Sequence, residues 1–151
     1  MQTMLSKSKF RLYLIIVIVL ASFIVVERQV SIWWGKYTVG QNDLPQVSLT
    51  EAQALLAEGS GQKRILANFS AYWCSACRFL ERNILSDDAV KQKLSSDYIY
   101  VRLEETNDDD RADFERYQIT AYPTLLILDE DLSIVETVNS TRSVETFIRQ
   151  L

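Results

Sequence analysis

The chain has no histidine and only two cysteines among its 151 residues. Without histidine, neither a Ser–His nor a Cys–His dyad can be built. Covalent c-type haem is excluded as well, because Arg78 and not histidine follows the second cysteine. A structural zinc site normally takes four Cys or His ligands, and this chain supplies two. No metal and no cofactor is therefore expected. Internal repeats and low-complexity stretches are absent too. Basic residues are scarce where a nucleic-acid binder needs them: residues 38–151 hold eleven Lys and Arg against nineteen Asp and Glu. A folded part this acidic argues against nucleic acid as a partner.

The front of the chain differs. Residues 1–37 carry five basic residues and one acidic. Lys7, Lys9 and Arg11 precede an uncharged run, Leu12 to Val26. Its 15 residues make about 22 Å of helix, short of the roughly 20 residues of a full span. Arg11 can snorkel, and Val30, Ile32, Trp33, Trp34 and Tyr37 extend the apolar face beyond Glu27 and Arg28. Aromatics there suit the far membrane interface. The rival reading is a cleaved signal peptide, but Leu20-Ala21-Ser22 lacks the A-x-A pattern of a cleavage site. Residues 1–34 are read as a cytoplasmic stub and a transmembrane anchor, with membrane contact over 12–34. The positive flank then leaves the domain on the extracytoplasmic (periplasmic or extracellular) side of the inner membrane, where disulfides persist.

Residues 35–46 read as a linker, and 47–151 as one folded domain. Ser48 and Glu51 have capping-box spacing, and Gly59 to Gly61 stop that helix. Arg64 to Ser70 reads as a strand, and Cys74 to Asn83 as a helix. Ser86 is the expected cap of a helix over Asp87 to Leu94. Tyr98 to Leu103 is a second strand. Asn107 to Asp110 start a helix through Tyr117, with acidic residues placed to suit the dipole. Thr124 to Leu128 and Ile134 to Val138 form a hairpin, and a last helix covers about Ser143 to Gln150.

Trp73-Cys74-Ser75-Ala76-Cys77 follows a strand and opens a helix. Disulfide exchange needs a thiolate attacker and a second thiol to resolve the mixed disulfide. Two intervening residues at a helix start bring both sulfurs together. The first sits at the positive end of the dipole, which favours thiolate. Cys74 is thus the expected nucleophile and Cys77 the resolving thiol, in a redox-active Cys74–Cys77 disulfide.

The run Phe69 to Cys77, together with Ala121-Tyr122-Pro123-Thr124-Leu125 downstream, resembles the thioredoxin superfamily. Within it, Tyr72 to Glu81 and the Ser86 to Val90 segment resemble the C-terminal periplasmic domain of the DsbD family. The resemblance implies an α/β thioredoxin-like fold, a central mixed sheet flanked by helices, here with an N-terminal transmembrane helix. It also implies a cis Tyr122–Pro123 bond beside the disulfide, with Trp73, Tyr122 and Pro123 contacting substrate, whose extended chain would pair at Tyr122 as an added strand does. Many thioredoxins place a buried aspartate six residues before the first cysteine; here that residue is Asn68, which cannot titrate. Glu81, one turn beyond Cys77, is the candidate replacement as proton acceptor, with Arg78 or Lys91 as its ion-pair partner if it is only a surface group. The expected function is an extracytoplasmic thiol–disulfide oxidoreductase that reduces protein disulfides and is reset by a membrane thiol reductant. Ser75-Ala76 carries no charge, which fits the reducing end of the range. An oxidase or isomerase using the same pair, and a non-enzymatic binding module on the same fold, are the alternatives.

Overall fold

The computed structural model describes residues 7–38, 44–59 and 63–151. Residues 1–6 of the expected stub and anchor (1–34), part of the linker and the Gly61 stop lie outside them. The first helix, α1 (Lys7–Thr38), is 32 residues long, about 48 Å. Among the described residues one helix is long and apolar enough to cross a membrane, Lys9–Tyr37. Its side chains from Phe10 to Val30 are exposed. Trp33 stacks on Tyr37 at its far end.

The helix does not stop at residue 34. It runs four residues into the expected linker, and Gly35 is buried. A glycine costs a helix roughly 1 kcal/mol relative to alanine, so the sequence reads as a break there. A Cβ at 35 would overlap the backbone carbonyl of Tyr72. Gly35 is therefore the point where α1 touches the domain.

The domain follows as α2 (Leu49–Ala57), β1 (Arg64–Ser70), α3 (Ser75–Asn83), α4 (Asp88–Asp97), β2 (Tyr98–Glu104), α5 (Arg111–Arg116), β3 (Thr124–Leu128), β4 (Ile134–Val138) and α6 (Val144–Ile148). The four strands form one sheet in the order β2-β1-β3-β4. β1 and β2 are parallel, because α3 and α4 carry the chain back between them. The other two pairings are antiparallel. Strand alternation sorts β1 onto two faces. Ile65, Ala67 and Phe69 pack with Leu49, Ala52 and Leu126 on one side. Leu66 packs with Leu80, Ile84, Leu94 and Phe147 on the other. Asn68 and Ser70 continue this second face toward the C-terminal end of the strand, where it turns polar.

Local chemistry sets the helix ends. The Ser48 hydroxyl accepts the Glu51 N–H at 3.1 Å. The cap of α4 is Asp87 and not Ser86: the Asp87 carboxylate accepts the Ala89 N–H at 3.0 Å. Ser86 instead donates to the carbonyl of Arg82. Helix α5 ends in a Schellman motif, with Gln118 N–H on the Glu115 carbonyl and Ile119 N–H on that of Phe114. This needs a left-handed residue at 118, and Gln118 has φ +52°. Its side chain is exposed. Glycine removes the Cβ clash of that conformation. Gln118→Gly should therefore raise stability by about 1 kcal/mol, a gain of about 4–8 °C in Tm for a domain this size. A melt showing no gain would mean the position carries no strain.

Candidate active site

β1 delivers the chain at Ser70 to a three-residue turn, Ala71-Tyr72-Trp73, and α3 begins directly after Cys74. Cys74 is the N-cap of α3 with extended backbone angles. Its sulfur accepts the Cys77 N–H at 3.1 Å, the bond a cap hydroxyl would otherwise take. Cys74 and Cys77 form a disulfide with Cα atoms 5.3 Å apart. Cys74 is 7% exposed and Cys77 1%, so an incoming sulfur can reach only the first.

Ala71 and the two cysteines form a small apolar cluster, closed by Tyr122. The Tyr122–Pro123 peptide is cis. Trp73 stands half out of the surface, edge-on to Tyr122 at 5.6 Å, and its indole N–H donates to Glu105 at 3.2 Å. Tyr122 in turn meets Phe114 at 5.9 Å. Trp73 and Tyr122 thus lie together beside the disulfide, with Pro123 next to Tyr122 in the chain, and Tyr122 and Glu105 continue into a groove with Phe114 and Arg111.

Glu81 is 2% exposed and therefore not a surface carboxylate. Its partner is neither Arg78 nor Lys91. Arg102 Nε donates to Glu81 Oε1 at 2.9 Å, and Ser70 donates to the same oxygen at 3.1 Å. Arg102 also donates to Glu104 Oε2 at 2.8 Å. Glu104 Oε1 accepts the Tyr72 N–H at 3.0 Å and the Thr106 hydroxyl at 3.0 Å. This clamps the turn before Cys74 onto β2. The guanidinium lies 4.8 Å from the centroid of the Tyr72 ring. Burial alone would lower the Arg102 pKa, but the two carboxylates outweigh it and raise it. Burial acts the other way on the Tyr72 phenol and raises its pKa, against the opposing pull of Arg102. Two carboxylates and one guanidinium leave this buried cluster one negative charge in excess.

Asn68, where many thioredoxins titrate, donates to the Tyr100 hydroxyl at 2.9 Å. Among the described residues, Asn68 Oδ1 and Glu81 Oε2 are buried with no hydrogen-bond partner. Glu81 thus keeps one carboxylate oxygen free beside α3. No group of three or more metal-ligating side chains occurs among the described residues.

The sequence alone does not mark Arg102, Glu104 and Ser70 as site residues. A signal existed: Tyr98, Tyr100, Arg102 and Glu104 alternate along β2, and a charged pair continuing a buried face must find partners.

Comparison with known proteins agrees with the fold. A thioredoxin-like family model matches residues 48–130. The thiol:disulfide interchange protein DsbD of Yersinia pestis is 27% identical over 119 residues, covering 74% of this chain. The chain spans only about one fifth of that relative, 20%. A thioredoxin from Thermus thermophilus superposes with a TM-score of 0.61 at 21% identity, over 70% of this chain and 82% of that one. The oxidised C-terminal domain of Neisseria meningitidis DsbD gives a TM-score of 0.54 at 18% identity, over 67% and 88%. The family match covers more than half of the chain and the fold agrees with it, and the chain belongs to the thioredoxin-like family.

Proposed function

We propose that this protein is a membrane-anchored thiol–disulfide oxidoreductase that reduces protein disulfides on the extracytoplasmic side. The observation that carries the proposal is the Cys74–Cys77 disulfide at the amino end of α3, with only Cys74 reachable. In the reduced protein, the Cys74 thiolate attacks a substrate disulfide and one substrate sulfur leaves as thiolate. Cys77 then attacks Cys74, releasing the second substrate sulfur and closing the Cys74–Cys77 bond. A membrane thiol reductant returns two electrons and reopens the pair. Trp73, Tyr122 and Pro123 form the rim against which the substrate chain lies. Glu81, with one oxygen unengaged, is the group placed to take the Cys77 proton. The anchor is α1, and the basic residues before it put the domain outside the cytoplasm.

Direction follows from charge. Stabilising the thiolate favours the reduced form and makes a pair oxidising. Here the nearest buried charges sum to an excess of one negative, and Ser75-Ala76 adds no positive one. Both features work against thiolate and favour a reducing pair. Equilibration of the full-length protein with glutathione or dithiothreitol buffers should give a potential nearer the ~−270 mV of thioredoxin than the ~−120 mV of DsbA. A value close to the DsbA figure would reverse the direction and make the protein an oxidase. In the insulin assay the reduced protein should accelerate precipitation by dithiothreitol; no acceleration would favour a binding module.

A further inference from the structure

The helix α1 does more than tether the domain. Ile24, Arg28, Ser31 and Gly35 recur at four, three and four residues, one continuous stripe of a helix. Its Gly35 end is buried against the redox loop, and Ile24, Arg28 and Ser31 border clefts beside that loop. Gly35 is buried against Tyr72, whose Cβ would lie 2.7 Å from a methyl at 35. Lys36 Nζ sits 5.7 Å from the centroid of the Tyr72 ring. Ser31 and Trp34 line a cleft with Arg78 and Arg82 of α3. Lower down, Ile24, Glu27, Arg28 and Ser31 line a second cleft with Trp73 and Glu105.

Height along α1 converts these contacts into a position. A hydrocarbon core of about 30 Å takes about 20 helical residues, which counted from Arg11 end at Val30. Each leaflet's headgroup layer is about 5–7 Å thick. Ser31 and Trp34 therefore lie within it and Ile24 below it, and Trp73, opposite Ile24 to Ser31, falls at its inner edge, where tryptophan is favoured. The charge on this face also fits. The domain as a whole is acidic, yet Arg28, Lys36, Arg78 and Arg82 gather here, with Glu27 and Glu105 as the acidic groups among them. Long basic side chains reach phosphate from the surface.

We infer that α1 seats the redox loop in the headgroup layer of the bilayer it spans, with Arg28, Lys36 and Arg82 facing anionic lipid phosphate, while Arg78 is held by the Tyr72 carbonyl at 2.8 Å. The inference rests on the reading of α1 as a membrane anchor. Its consequence is that Cys74, next to Trp73, meets its exchange partners at the membrane surface.

The chain has three tryptophans, so a Trp33→Phe/Trp34→Phe protein reports on Trp73 alone. It would be reconstituted at full length into phosphatidylcholine vesicles, with and without phosphatidylglycerol, carrying a headgroup nitroxide lipid. Trp73 fluorescence should be quenched, more strongly with phosphatidylglycerol. Adding Gly35→Leu should abolish the quenching while insulin reduction persists, which shows that the domain is still folded. Arg82→Gln should narrow the difference between the two lipids. Unquenched Trp73, or quenching that survives Gly35→Leu, overturns the seating. Equal quenching in both lipids overturns the role of the basic cluster. A Trp73→Phe protein separates the two readings. If Trp33 and Trp34 are quenched there while Trp73 is not in its own protein, the anchor stands and the seating falls. If they too are unquenched, the anchor falls with it.

Discussion

Replacing Cys74 with serine will reduce insulin precipitation to the rate of dithiothreitol alone, and replacing Cys77 with alanine will halt exchange at the mixed disulfide. The two variants differ because the two sulfurs sit differently. Cys74 is the cap of α3, has the greater exposure, and accepts a backbone N–H that points along the helix axis. Such a donor stabilises negative charge on that sulfur. Serine offers a hydroxyl in the same place but no usable nucleophile at neutral pH, so the first bond never forms. Cys77, 1% exposed, cannot substitute for it. In Cys77→Ala the attack by Cys74 still occurs, and nothing on the enzyme can release the product. Covalent complexes should accumulate, and thiol reductant should dissolve them. Mass spectrometry of the trapped species then identifies the client. Retained turnover in Cys74→Ser would remove Cys74 from the chemistry. Trapping on Cys77 in that variant, with none on Cys74 in the other, would exchange the two roles.

The cysteine pair and its setting were legible because they are local. A strand pattern over Arg64 to Ser70 followed by a cysteine at a helix start needs no knowledge of the rest of the chain. The same holds for β3 and β4, whose apolar runs stand on either side of an Asp-Glu-Asp turn. What escaped depends on distance in sequence. Glu81 reads as a surface carboxylate beside Arg78 because those residues share a helix turn. Its partner Arg102 comes 21 residues later, delivered by the parallel register that sets Asn68 opposite Arg102 and Ser70 opposite Glu104. Gly35 misleads for a related reason. Local propensity marks it as a break, while its absent side chain is what lets α1 approach Tyr72. The cap of α4 shows the limit in miniature. Ser86 and Asp87 both have capping side chains, and only the backbone decides which one closes the turn.

Arg102→Leu should be the most damaging substitution in the domain outside the apolar core. The Arg102 side chain is 4% exposed and pairs with two carboxylates that are buried to nearly the same degree. Removing it leaves Glu81 and Glu104 facing each other without a counter-charge. Breaking a buried pair in this way costs about 3–5 kcal/mol, a fall in Tm of about 12 °C or more for a domain of this size. The cost does not reflect the worth of the pair, since replacing both partners of a buried ion pair by apolar groups is often neutral. The double variant Glu81→Leu/Arg102→Leu should therefore be more stable than Arg102→Leu alone. Glu104 keeps the Tyr72 and Thr106 donors in either case. A double-mutant cycle should return a coupling of about 1–3 kcal/mol between Glu81 and Arg102. Additive effects would mean that solvent or a rearranged side chain already neutralises Glu81. The same series reads out on the chemistry. With Arg102 gone, the negative charge of Glu81, one turn beyond Cys77 on α3, loses its partner, and the potential of the Cys74–Cys77 pair should become more reducing. A shift toward oxidising values would show that the carboxylates take up protons in the variant instead of keeping their charge.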